Sequence, residues 1–133
     1  MHICLCDKGW CIVLKIACGT DIIEINRIKD SIEEYGERFL KKIYTEAEIN
    51  CCESHHNNKY QHYAGRFAAK EALFKAVSSI LEVNNLDWNY FEIINDNSGK
   101  PKVEINNNRI KSIDISISHS KENAVAMAVV LYE

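Results

Sequence analysis

No apolar run in this chain approaches the roughly 20 residues that a membrane-crossing helix needs. A surplus of positive charge is also missing. With 16 basic and 19 acidic residues the net charge is −3, which argues against an extended nucleic-acid surface while leaving room for local phosphate contacts. There is no glycine-rich phosphate loop of the Walker or dinucleotide type, no CxxC pair and no internal repeat. The start, MHICLCDKGWCIVLKIACG, makes a poor secretory signal, with Lys8 ahead of its short apolar stretch and Lys15 inside it. The six cysteines (Cys4, Cys6, Cys11, Cys18, Cys51, Cys52) are therefore read as reduced thiols of a cytosolic protein, not as a disulfide framework.

What is present has the composition of one globular domain: 133 residues, 47% hydrophobic and 26% charged. Residues 1–12 carry three of the six cysteines and no clear amphipathic period. They are expected to be a peripheral extension, leaving 13–133 as a single domain.

IVLKIACGTDIIEI is β-branched and reads as a strand that bends at Gly19-Thr20, near Asp21. Ile32, Tyr35, Phe39 and Ile43 fall at helical spacing across Gly36. TEAE at 45–48 is a capping box that starts a helix, with Glu48 reaching back to Thr45. The polar ESHHNNKY reads as a loop, and about 64–81 as the longest helix, with Ala69, Ala72, Leu73, Ala76, Val77 and Ile80 on one stripe. Beyond it lie a hairpin around NDNSGKP, a half-buried strand IKSIDISIS and a buried strand AVAMAVVLY. The fold class is α+β, an antiparallel meander packed on a long central helix with shorter helices beside it.

On that long helix Phe67, Glu71, Phe74, Lys75 and Ser78 share a second face. A covered carboxylate is costly unless it is protonated or meets a cation. The plain reading of Glu71 and Lys75 is a surface pair four residues apart. The sharper one joins Glu71 to Asp21, since two carboxylates from different elements can hold Mg²⁺ and leave positions for substrate oxygens. Arg66, Lys70 and Lys75 would complete a phosphate-plus-metal site. Ser118, His119 and Ser120 form a small donor cluster at a strand end. Cys51/His55 and Cys52/His56 are both spaced i, i+4, but sit about 100° apart round a helix, too far to share one zinc without distortion.

Four blocks in order, GTDIIEINRI, AGRFAAKEALFKAV, NSGKPKV and ISISHSKENAVAMAVV, resemble the holo-acyl-carrier-protein synthases, the short 4′-phosphopantetheinyl transferases, from about residue 14 to the end. The resemblance implies a Mg²⁺-dependent enzyme that moves the phosphopantetheine arm of coenzyme A onto a serine of an acyl carrier protein. It implies Asp21 and Glu71 as catalytic metal-binding carboxylates, Lys75 as the active-site lysine near the diphosphate, and Arg66, Ser118 and His119 on the coenzyme A side. Arg27 would meet the acidic carrier, within a basic patch that includes Lys29, Arg38, Lys41 and Lys42. A homotrimer with clefts between subunits is implied as well. The chain departs from the family's pattern in its extra N-terminal dozen residues and in Ala17 or Cys18 where a glycine is frequent. Two rival readings are a zinc-stabilised interaction module built on the Cys/His cluster, and another Mg²⁺-dependent phosphate enzyme.

Overall fold

The computed structural model describes the backbone of residues 2–7 and 10–133 and the side chains from Ile12 onward. In chain order its elements are β1 (His2–Asp7), β2 (Trp10–Glu24), α1 (Ile25–Tyr35), α2 (Glu37–Ile43), α3 (Glu46–Glu53), α4 (Lys59–Leu81), β3 (Glu92–Asn95), β4 (Pro101–Glu104), β5 (Ile110–His119) and β6 (Asn123–Tyr132). The α+β class is the expected one. An antiparallel sheet ordered β1-β2-β6-β5 packs one face on α4, and β3 and β4 pair separately. The order is not a simple meander, because β6 lies between β2 and β5. In the N-terminal extension the backbone of His2–Asp7 pairs with β2, while residues 1, 8 and 9 and the side chains of Cys4, Cys6 and Cys11 lie outside the described part.

Strand β2 runs unbroken through Gly19-Thr20. It stays in register with β6 from Lys15 opposite Tyr132 to Glu24 opposite Asn123, because the ladder to β6 continues through the glycine. Alternation turns Gly19, Asp21 and Ile23 toward α4 and leaves Ile22 outside, 65% exposed. Strand β6 is likewise buried on one face only: Ala124, Ala126, Ala128 and Val130 are covered, whereas Val125 and Met127 are exposed. The helix answers with its own alanines, Ala68, Ala69, Ala72 and Ala76, all buried. Small side chains on both partners allow a close approach. At Gly19 a Cβ would collide with the Ala72 carbonyl oxygen and lie 3.0 Å from the Ala76 nitrogen.

The helix expected to run through Gly36 is two helices. Gly36 has φ 57 and ψ −133, outside the α region, so α1 stops and α2 starts there, and Tyr35 ends up exposed. The capping box forms as expected: the Glu48 amide donates to Thr45 Oγ1 at 3.3 Å and the Thr45 amide to Glu48 Oε1 at 2.8 Å.

That glutamate does more than cap. It is fully buried, its Oε1 is 2.6 Å from Lys70 Nζ, and its Oε2 accepts the Ile93 amide at 3.1 Å. Lys70 also donates to the Ile43 carbonyl at 2.7 Å. Burial pushes the Lys70 ammonium below its ordinary range, and the Glu48 carboxylate pulls it back. Lys70, expected beside a phosphate, is instead a core cation joining α2, α3, α4 and β3. Replacing it alone strands a buried carboxylate. Lys70→Met should therefore cost about 3–5 kcal/mol in urea unfolding, and adding Glu48→Gln should recover part of that loss.

Candidate active site

The surroundings of α4 differ by face. Its alanine stripe meets the sheet, Tyr63, Arg66 and Lys70 meet α3, and Phe67 and Glu71 look toward the junction of β2 and α1. Asp21, near the end of β2, is brought to this last side by the strand alternation that also buries Ile23. A cleft of about 410 Å³ is lined there by Asp21, Arg27, Ser31, Phe39, Phe67 and Glu71 among others. Two acids far apart in sequence thus share one wall.

Lys75 does not form the surface pair with Glu71. Its ammonium crosses to β2, donating to Asp21 Oδ1 at 3.1 Å and to the Thr20 carbonyl at 2.9 Å. Glu71 is held differently. Burial, first, and the nearby Asp21 charge, second, raise its carboxyl above the usual carboxylate range, with Lys75 acting in the opposite sense. Around Glu71 lie Phe67, which lines the same cleft and stacks on Trp88 at 4.9 Å, and Phe74, Leu86, Trp88 and Phe91, which line a second cavity of about 120 Å³ with it. Two repelling carboxylates with a lysine already drawn to one of them form a donor set suited to a hard cation. Oxygen ligands of this kind fit Mg²⁺, so Asp21 and Glu71 are the candidate metal pair.

Arg66 lies elsewhere. Five residues before Glu71, it sits about 140° round the helix, 3% exposed, with Nη2 donating to Cys51 Sγ at 3.2 Å and Nε without a partner. His119, at the end of β5, belongs to the same side, since its charge and that of Arg66 both act on His62. Consecutive strand residues face opposite ways, so Ser118 shares the outer sheet face with Val125, to which it pairs. The structure thus brings Asp21, Glu71, Lys75 and Arg27 together and gathers Arg66 with His119 on another flank.

Among the described residues the Cys/His cluster is not arranged as a zinc site, and the side chains of the N-terminal cysteines that the zinc reading would add lie outside them. Cys52 is fully buried and its thiol is pushed up to about 12, chiefly by burial; Cys51 meets Arg66, and His55 stacks on His62 at 3.7 Å. Among the described residues no group of three or more His, Cys, Asp or Glu is arranged to hold a metal ion. Three contributors were not legible in the sequence. Trp88 and His62 carry no local motif, and the second role of Glu48 was hidden behind its capping pattern.

A β-strand acid, a helical glutamate and a helical lysine gathered on one side of an α+β core are suited to phosphoryl-type group transfer. The family model described as the 4′-phosphopantetheinyl transferase superfamily matches residues 17–130. The chain belongs to that superfamily. Within it, the chain is similar to holo-[acyl-carrier-protein] synthases over most of its length. That of Ruminiclostridium cellulolyticum is 41% identical over 125 residues, covering 88% of this chain and 92% of the other. That of Chlorobaculum tepidum is 44% identical over 112 residues, covering 84% and 94%. Among solved structures, a holo-(acyl-carrier-protein) synthase from Bacillus anthracis, in complex with CoA (3′,5′-ADP), superposes with a TM-score of 0.73 at 35% identity, covering 88% and 96%. No helix among the described residues is long and apolar enough to cross a membrane.

The origin of the Glu71 shift is testable by carboxyl NMR titration. Its midpoint should lie above that of an ordinary glutamate, fall in Asp21→Asn as one raising charge is removed, and rise further in Lys75→Met. Identical midpoints in all three proteins would contradict this account.

Proposed function

We propose that this transferase moves the 4′-phosphopantetheine arm of coenzyme A onto a serine hydroxyl of an acyl carrier protein in the cytoplasm, releasing adenosine 3′,5′-bisphosphate. The observation that carries the reading is the meeting of Asp21 with Lys75, 54 residues apart along the chain, in a wall shared with Glu71. The named activity of its relatives supports it.

Asp21 and Glu71 would hold a magnesium ion, which when bound neutralises charge along the diphosphate and orients its oxygens. Lys75 spends two of its three N–H donors on Thr20 and Asp21, and the third is left for a phosphate oxygen. Its positive charge stabilises the bisphosphate as the P–O bond breaks and the new bond to the serine oxygen forms. The serine hydroxyl gives up its proton to a base in the same cleft as its oxygen attacks the phosphorus. Phe67 and Trp88, stacked on each other, give the surroundings of Glu71 an apolar side.

Arg27 lines the same cleft and is exposed, so it is placed to receive the acidic carrier beside the carboxylates. Of the basic patch, Lys29 and Lys41 already pair with Glu33 and Glu37, at 3.9 and 3.2 Å. Arg38 and Lys42, beside Tyr35 and Phe39, are in no ion pair among the described residues and extend the dock. The coenzyme A residues Arg66, Ser118 and His119 do not reach the carboxylate wall of their own chain. Together with the exposed Ile16, Ile22, Val125 and Met127 on the outer sheet face, this favours a homotrimer in which neighbouring copies complete each cleft.

Incubation with coenzyme A, Mg²⁺ and an apo carrier should add one phosphopantetheine to the carrier by mass spectrometry. Asp21→Ala and Glu71→Ala should each lose turnover by about 10²-fold or more with unchanged circular dichroism. Mixed assemblies of Glu71→Ala and His119→Ala chains should regain part of it. No mass gain by the wild-type protein would overturn the assignment. Arg27→Glu should raise KM for the carrier far more than for coenzyme A, and equal effects on both would rule out the dock.

A further inference from the structure

One corner of the molecule gathers an arginine and three histidines. Arg66 of α4, His62 one turn earlier, His55 in the turn after α3 and His119 at the end of β5 meet there, with Cys51 of α3 behind them. The charges that act on His62 are those of His55, Arg66 and His119, all basic. The neighbouring carboxylate of Glu53 is already engaged, by the Tyr63 hydroxyl at 2.9 Å and by Lys59 at 3.3 Å. The His55 and His62 rings stack 3.7 Å apart at an interplanar angle of 14°. Beneath them Arg66, almost wholly buried, has an Nε–H with no acceptor. A buried donor of this kind is ordinarily paired, and a guanidinium with protonatable imidazoles beside it is suited to an anion.

We infer that His62, with His55 stacked on it, is a binding residue for the phosphate monoester of the nucleotide substrate, and that it takes up a proton as that phosphate arrives. The inference rests on the coenzyme A reading above and adds two residues that the resemblance does not place. In the free protein, burial first and then His55, Arg66 and His119 hold the His62 imidazole down at about 4, so it is neutral at ordinary pH. An incoming dianion reverses the sign of that field and favours the imidazolium, whose N–H then donates to a phosphate oxygen. Because the bound-state midpoint is higher than the free one, affinity rises as pH falls between the two. The gain reaches at most about tenfold per pH unit for one linked proton.

Calorimetry on the full-length protein tests this with adenosine 3′,5′-bisphosphate as probe, at about pH 6.5 and about pH 8, in two buffers of different ionisation enthalpy. The wild-type protein should bind more tightly at the lower pH and take up a fraction of a proton, approaching one. Coenzyme A should show the same uptake, and dephospho-coenzyme A, which differs from it only in lacking the 3′-phosphate monoester, should not. His62→Gln should lose the uptake and flatten the pH dependence relative to wild type, a comparison in which the phosphate's own ionisation cancels. His55→Gln, an exposed substitution that leaves the core alone, should reduce both. If both variants keep wild-type uptake and pH dependence, the inference is overturned. If the wild-type protein binds no bisphosphate at either pH, the coenzyme A reading falls and takes the inference with it.

Discussion

The approach of α4 to β2 at Gly19 is the constraint on which the rest of the structure depends. The helix backbone sits where any side chain at that position would have to be, and alanines on α4 and β6 extend the close contact on either side. Dispersion between such densely packed surfaces is individually small but continuous along the interface. The functional return is positional. Only with the helix this near can the Lys75 ammonium reach the Thr20 carbonyl and the Asp21 carboxylate, and only then does the Asp21 charge act on Glu71.

Charge is segregated by the same helix. One flank of α4 presents two acids held close against their repulsion, and another presents an arginine and three histidines without a free acid among them. Each cluster is electrostatically unfinished, and each lacks the partner that the other's ligand chemistry would bring. In the proposed reading a diphosphate with a divalent cation would meet the first, and a phosphate monoester the second. The two clusters lie on different flanks of α4, the separation on which the proposed assembly of adjacent copies rests.

Much of this was legible in the sequence. The alternation in IKSIDISIS, the capping box at Thr45 and the alanine stripe of the long helix are local patterns with local causes, and they appear where expected. The pairing of Asp21 with the Glu71 region was reachable because the resemblance linked two distant motifs. What failed was context. Gly36 lay within a helical pattern, and only its backbone angles reveal the break. Lys70 belongs by sequence to the same motif as Glu71, yet one residue of rotation, about 100°, sends it into the core instead of the cleft. Glu71 and Lys75 had the spacing of an ordinary helical pair, and the nearer carboxylate of another strand won the lysine.

The Glu48 carboxylate adds a dynamic consequence. Because it closes on Lys70, on the first turn of its own helix and on the Ile93 amide, none of these elements can open locally without exposing a buried charge. Fluctuations that fray helices elsewhere are suppressed here, so α3, the start of β3 and the centre of α4 form one cooperative unit with a shared opening free energy. The residue next to Lys70 in sequence, Glu71, inherits that stillness, as does the end of α2, whose Ile43 carbonyl accepts from Lys70.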